Sequence, residues 1–398
     1  MPSQGSAGGI SLLDDDYRRC FERALMRILQ AEVAEETYAE ILDGIPTAAS
    51  FREFTFSYQG HPSMDHPEID PGALARAREF RLAFDATSVE LPRTTVLAYQ
   101  RTVFGSKAFQ LRLLELLARA CHQIAVYLFQ VGERNHHHGE HERWRDEPRE
   151  KNPWDWYRPP IAFSHGSYNA FDQYPNGIAD VAGYWAEAKI FGGVVVFDRG
   201  ETETECRDVF IHACRRGSPK TIFPPTQEQY DQLMKLLLGD DDDGDDGGVD
   251  NENHDDKASD GGRSRVPSLP RRPCPLPILP TSQNRWRWHA WDAFARFHIF
   301  RDRYERRVGE TKPREGNRRA VDWPEIQDQL FVAAAMGDRM DGRPVDEEEV
   351  AAARKRMKMI TPSSPLWKSE MAGSPVYYMH MRDPSTGDFA VKNLAETD

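Results

Sequence analysis

Between His165 and Arg199 the chain gathers His165, Asp172, Tyr174, Asp180, Tyr184, Glu187, Asp198 and Arg199. Carboxylates beside an imidazole can move protons. A concave site bordered by Tyr184, Trp185 and Glu187, with His165, Asp180 and Arg199 in reach, would suit acid–base work such as hydrolysis. The same residues also have a structural reading. Asp198 and Arg199 would end a strand and pair at a turn, while Glu187 and Lys189 would lie on an exposed face. Turn chemistry is common at strand ends, so the structural reading leads.

Other chemistry is thinly represented. Cys206, His212 and Cys214 are spaced C-x5-H-x-C, which matches no zinc pattern, and His136–His138 sit in a polar stretch. Neither supplies the ligand count of a metal site, so no metal is expected. Gly192-Gly193 lacks the phosphate-loop and dinucleotide fingerprints, so no cofactor is expected; glycine there marks a bulge or a close backbone contact. Ser167 has no nucleophile-elbow context. From Arg285 to Arg319 eleven basic residues face five acids, with Trp286, Trp288, Trp291, Phe294 and Phe297 interleaved. Arg303, Arg306 and Arg307 could hold phosphates while the rings stack on bases. The competing reading, a core helix with arginine on its wet face, fits the aromatic spacing better. Thr361, Ser364 and Ser374 each precede proline and are candidate phosphorylation sites.

The elements that must carry these residues can be read from periodicity. Tyr17, Phe21, Ala24, Leu25, Ile28 and Leu29 recur at helical spacing after Ser11 and the acids Asp14–Asp16, and Gly44 and Pro46 stop the pattern. A second helix follows Pro71. The clearest runs from about Ser106 to Val131, with Arg112, Glu115, Arg119 and His122 as the stripe opposite its apolar face. Gly183 to Gly200 reads as the heart of a sheet. Its strand, Phe191–Phe197, is apolar on both faces and therefore central. Val209–Ala213 is a neighbouring strand, and Thr221–Phe223 is an edge strand stopped by Pro224 and Pro225. Thr226 caps a further helix. Ala290, Ala293, Phe297, Phe300 and Tyr304 share helical spacing. Helices follow near 323–336 and 346–359, and a hairpin closes around PSTG.

Composition divides the chain. Asp240 to Asp260 holds eleven acids and one lysine, and subtracting that −10 from the chain's −13 leaves −3 for the rest. The remainder is not built as a polyanion receptor or a membrane-surface binder. The organisation expected is a helical region over 10–132, a polar and aromatic insert over 133–160, and a small sheet plus helix over 161–238. A disordered acidic and proline-rich linker over 239–281 and a helical region with a terminal hairpin over 282–398 complete it. The last region should return to the first core, because its tryptophans are too many to leave exposed. Five scattered cysteines, no basic and apolar leader, and no apolar run of membrane length point to an intracellular protein, cytoplasmic or nuclear, with no membrane partner.

Three segments, 172–200, 284–307 and 360–381, resemble a family of filamentous-fungal proteins. No activity, cofactor or catalytic residue is associated with that family. The resemblance implies one integrated unit. The fold class expected is α+β, with helices from both termini around a small, mainly antiparallel sheet. The expected function is a non-enzymatic interaction protein with a protein partner. An enzyme with its pocket near His165 and Glu187, or a nucleic-acid-associated protein using 285–319, are the alternatives.

Overall fold

The computed structural model describes residues 7–54, 60–132, 136–148, 158–215, 222–239, 274–281, 284, 290, 293–294 and 297–305; toward the C-terminus it describes 331–332, 335–336, 339, 344–357, 378–382 and 389–393. The acidic tract, Trp286, Trp288, Trp291, Arg306, Arg307 and the three Ser/Thr-Pro sites lie outside the described residues.

The fold is α+β. Helices α1 (Asp15–Leu29), α2 (Glu32–Asp43), α3 (Ala48–Phe54), α4 (Pro71–Ala83), α5 (Arg93–Gln100) and α6 (Lys107–Gly132) precede α7 (His136–Asp146) and α8 (Ile178–Phe191), and α9 (Gln227–Leu238) follows the sheet. Short strands β1 (Ala7–Gly9) and β2 (Glu90–Pro92) pair near the start. The central sheet is antiparallel throughout. It contains β3 (Val194–Asp198), β4 (Val209–His212), β5 (Ile222–Phe223) and β6 (Ile299–Phe300), in the order β5-β4-β3-β6. A hairpin of β7 (Tyr378–Arg382) and β8 (Phe389–Asn393) lies near the C-terminus.

Local chemistry explains several boundaries. The Asp70 carboxylate accepts the Gly72 and Ala73 amides at the start of α4, where Pro71 occupies the first turn. Thr226 and Gln229 form a reciprocal capping box on α9. Gly192 ends α8 with φ of 93°, and a Cβ there would come within 2.0 Å of the Ile278 carbonyl. That carbonyl belongs to a segment whose Ile278 amide donates to Phe191 O at 3.1 Å. Gly193 is likewise a close approach, to the His212 carbonyl. One large core takes in α1, α2, α6, α8 and the central sheet, and also Ile278, Ala290, Ala293 and Ile299 from beyond the acidic tract.

Four expectations need correction. The run from Tyr17 to Gly44 is two helices, because Ala31 is extended and α2 turns back to pack on α4 and α6. The stretch Gly183–Phe191 is helix, and only Val194–Asp198 is strand. Part of the polar insert, His136–Asp146, forms a helix. The spacing from Ala290 to Tyr304 does not continue as helix. Ile299 and Phe300 instead pair with Asp198 and Phe197, and Arg303–Glu305 form a single 3-10 turn. Beyond these, Val332, Ala335, Val350 and Ala353 make a small separate core that includes the helix Glu347–Met357.

Candidate functional site

The polar stripe on α6 is the starting point. Glu115, Arg119 and His122 fall on one face at helical spacing, and all three are buried. They lie against α8, β3 and the turn after β6. Close helix packing is needed for this, and Gly183 permits it: a Cβ at that position would lie 2.6 Å from the His122 ring. On α8, Asp180 and Glu187 are seven residues apart and share a face, so both reach His122.

The imidazole is held at both nitrogens. Nδ1 is 2.8 Å from Glu187 Oε1 and Nε2 is 2.9 Å from Asp180 Oδ1. Two carboxylate acceptors require two N–H donors, so His122 is an imidazolium. Burial would lower its pKa, but the hydrogen bonds it donates to Asp180 and Glu187 outweigh burial and raise it. Asp180 also accepts from the Asn176 amide and side chain.

The network continues through arginines. Arg301 bridges Glu187 at 2.8 Å and Glu305 at 2.7 Å. Arg119 joins Asp302 at 2.7 Å. Arg199 reaches Glu115 at 2.7 Å and donates to the carbonyls of Phe300 and Arg301. Arg112 closes the far side on Glu115. Burial favours the neutral form of Glu115, yet Arg199 and Arg119 hold its pKa down at about 2. Burial also opposes ionisation of Glu187 and Asp302, and the neighbouring Arg301 and Arg119 still keep both below their ordinary range. Burial, opposed by Arg301, leaves Glu305 raised. Four arginines and the imidazolium face Glu115, Asp180, Glu187, Asp302 and Glu305, so the charges balance.

Chemically, this arrangement is a closed set of ion pairs in which Glu187 Oε2, alone among the described carboxylate oxygens, is buried without a partner. Both His122 nitrogens are engaged and Glu187 is fully buried. The network ties a helix from the first third of the chain to a turn near residue 302. It is the electrostatic counterpart of the β3–β6 pairing.

The sequence candidates divide accordingly. Asp180 and Glu187 come together, but on His122 and not on His165. Asp180 and Glu187 project from α8 toward α6. His165 lies one aromatic layer away: its Nδ1 accepts the Ser167 amide at 3.1 Å, and its ring meets Tyr168, which stacks on Tyr184 at 4.6 Å. Tyr184 and Trp185 are core residues, the latter packed on Phe54 and Phe163. Glu187 and Lys189, expected on an exposed face, are both buried; Lys189 pairs with Glu40 and Ser50. Arg199 belongs to the network. Arg303 pairs at the surface with Glu203, which also meets His298 Nδ1 at 3.2 Å. Glu203 and His298 both adopt positive φ.

Sequence reasoning missed His122, Glu115, Arg119 and Arg301. The i, i+4, i+7 polar spacing on α6 was the available signal. Among the described residues no three His, Cys, Asp or Glu side chains are grouped to hold a metal, and no helix is long and apolar enough to cross a membrane. His212, in the weak cysteine–histidine spacing, meets Tyr168 OH at 3.1 Å instead. Comparison with family models, with curated proteins and with solved structures gives no match.

Proposed function

We propose that this chain is an intracellular, non-enzymatic interaction protein that engages a protein partner. The observation that carries this reading is an apolar array on the outer side of the helical region. Tyr127 and Val131 stand one turn apart on α6, 54% and 56% exposed. The Tyr127 ring stacks on Phe80 of α4 at 6.1 Å, and Phe80 meets Phe84 at 5.2 Å. Aromatic side chains gathered at a surface are the usual anchors of a protein contact. The fate of the acid–base candidates supports the same reading, because Asp180 and Glu187 are already committed to His122 and Arg301. All five cysteines are free thiols, which suits a reducing compartment.

The test compares wild type with Tyr127→Asp/Val131→Asp in quantitative affinity purification from native lysate. Both proteins must share the same melting temperature. A partner held by wild type and lost from the variant is expected. An unchanged set of bound proteins would overturn this surface as the contact. A turnover found by substrate screening and abolished by Glu187→Gln in a folded protein would put an enzyme first.

A further inference from the structure

Where α7 docks on the turn Pro62–Asp65, three buried polar atoms have no partner. They are Ser63 Oγ and both terminal nitrogens of the Arg158 guanidinium. Buried polar atoms are nearly always satisfied, and a charged donor group left bare is the most costly exception. Such an exception is explained by strain, an ordered water or a bound ion, and a bare guanidinium favours an anion.

The surroundings are built to hold the guanidinium in place. His141 Nε2 donates to the Pro159 carbonyl at 3.2 Å, and Arg145 donates to the Pro160 carbonyl at 2.9 Å. These two bonds strap residues 159–160 to α7. The strap sets the Arg158 guanidinium 4.4 Å above the Trp144 ring. Trp144 in turn meets His61 edge-on at 4.6 Å, and Phe51 stacks on the other side of His61 at 4.1 Å.

Among the described residues no neighbouring group supplies the missing negative charge. The Ser63 amide donates to His61 Nδ1, so His61 carries its proton on Nε2 and donates to His141 Nδ1 at 3.0 Å. His141 then carries its proton on Nε2, toward Pro159. The chain of hydrogen bonds is complete with both rings neutral. Arg145, the nearby second arginine, has its own carboxylate in Asp146. Among the described residues no carboxylate pairs with Arg158.

We propose that this junction is a binding site for a small oxyanion, carboxylate or phosphate. The Arg158 guanidinium is its charged ligand and Ser63 Oγ a hydroxyl donor, with Trp144 as the apolar wall. A guanidinium with two parallel N–H edges matches two oxygens of either group. The site is independent of the His122 network and of the aromatic array on α4 and α6.

Acetate and inorganic phosphate, each titrated into the full chain at constant ionic strength with chloride as control, test this. A saturable rise in melting temperature with one of the two, and none with chloride, is expected; which probe acts separates the two chemistries. In Arg158→Gln the response should weaken by about tenfold or more, the loss typical of a charged hydrogen-bond partner. In anion-free buffer the same variant should be no less stable than wild type, since an unpaired buried charge has been removed. Should Arg158→Gln not fold, Ser63→Ala must weaken the response by about threefold, as loss of one neutral hydrogen bond does. No saturable response to either probe, an undiminished response in the variants, or a less stable Arg158→Gln in anion-free buffer overturns the site.

Discussion

Two buried histidines, His122 and His61, sit in opposite electrical environments. His122 lies between two carboxylates, so both nitrogens donate and the ring is charged. His61 lies between Phe51 and Trp144, receives an amide proton on Nδ1, and passes its own proton to His141. Burial acts against the charge in both. At His122 the acceptors win and the pKa rises. At His61 burial, with His141 beside it, brings the pKa down to about 3. Burial alone therefore does not decide the state of a histidine. The count of donors and acceptors at its two nitrogens does.

The largest effect should come from breaking the charged site on one side only. Arg301→Met would leave Glu187 and Glu305 buried without their main counter-charge. The expected loss is about 3–5 kcal/mol, typical of a buried pair broken at one partner. A shift in the urea midpoint at unchanged slope would measure it. A loss below about 1 kcal/mol would mean that the network tolerates the imbalance, and that a carboxylate, Glu305 or Glu187, has taken up a proton to restore neutrality.

Acid and alkali should then separate the two histidines. His61 titrates near 6.5 in the unfolded chain and near 3 in the fold. The unfolded state takes the proton first, so this contribution is intact above pH 6.5 and is lost as the pH falls toward 3. The loss is about 1.4 kcal/mol per pH unit, or about 2–3 kcal/mol at pH 4.5. His122 has the opposite sign: its raised pKa gives stability that is complete below pH 6.5 and fades as the pH climbs through the folded value. His61→Phe should flatten the acid limb of a stability–pH curve, and His122→Gln the alkaline limb. Exchanged effects would refute the assigned charge states.

A gentler perturbation reaches only one of the sites. Gly183→Ala would put a methyl group 2.6 Å from the His122 ring, forcing α6 and α8 apart. Overpacking of this kind costs about 1–3 kcal/mol. The alkaline limb should move and the acid limb should not, because His61 packs on neither helix at that point.

How much of this could be read in advance depended on where the partner lay in the chain. The period of α6, the cap at Thr226 and the central place of Val194–Phe197 are local signals, and each matches the structure. The return to the core rests, in the sequence, on Trp286, Trp288 and Trp291, which lie outside the described residues. Of the residues that do join it, Leu276 and Ile278 come from the stretch expected as a disordered linker, where proline-rich composition hid two buried side chains. Helix α8 was not legible. Thirteen of its fourteen residues are buried, so it has no wet face to impose a period. The stripe of Glu115, Arg119 and His122 looked like a wet face because charge reads as exposure. Its partners sit 58 to 183 residues away, on Asp180, Glu187, Arg199 and Asp302. His61 had a local trace in His61-Pro62-Ser63, and His165-Gly166-Ser167 repeats it. In both, the serine amide donates to the histidine Nδ1.

The smallest effect should come from Arg303, two residues from Arg301 and indistinguishable from it by residue type. Arg301 is buried, whereas Arg303 is 52% exposed on its side chain and pairs with Glu203. An ion pair open to water gains little and is screened by salt, so Arg303→Ala should cost about 0.2–1 kcal/mol and less at high salt. Its occupation by Glu203 also weakens the case for phosphate binding, since an incoming phosphate must displace a carboxylate. A single-stranded oligonucleotide should therefore show no salt-dependent affinity that Arg303→Ala removes. A steep salt slope lost in that variant would place a nucleic-acid contact at this turn. A loss of several kcal/mol would instead make Arg303 an outward extension of the buried network. Near-neutral stability with no oligonucleotide binding leaves the contrast as drawn: one arginine that the fold depends on, and another two residues later that it does not.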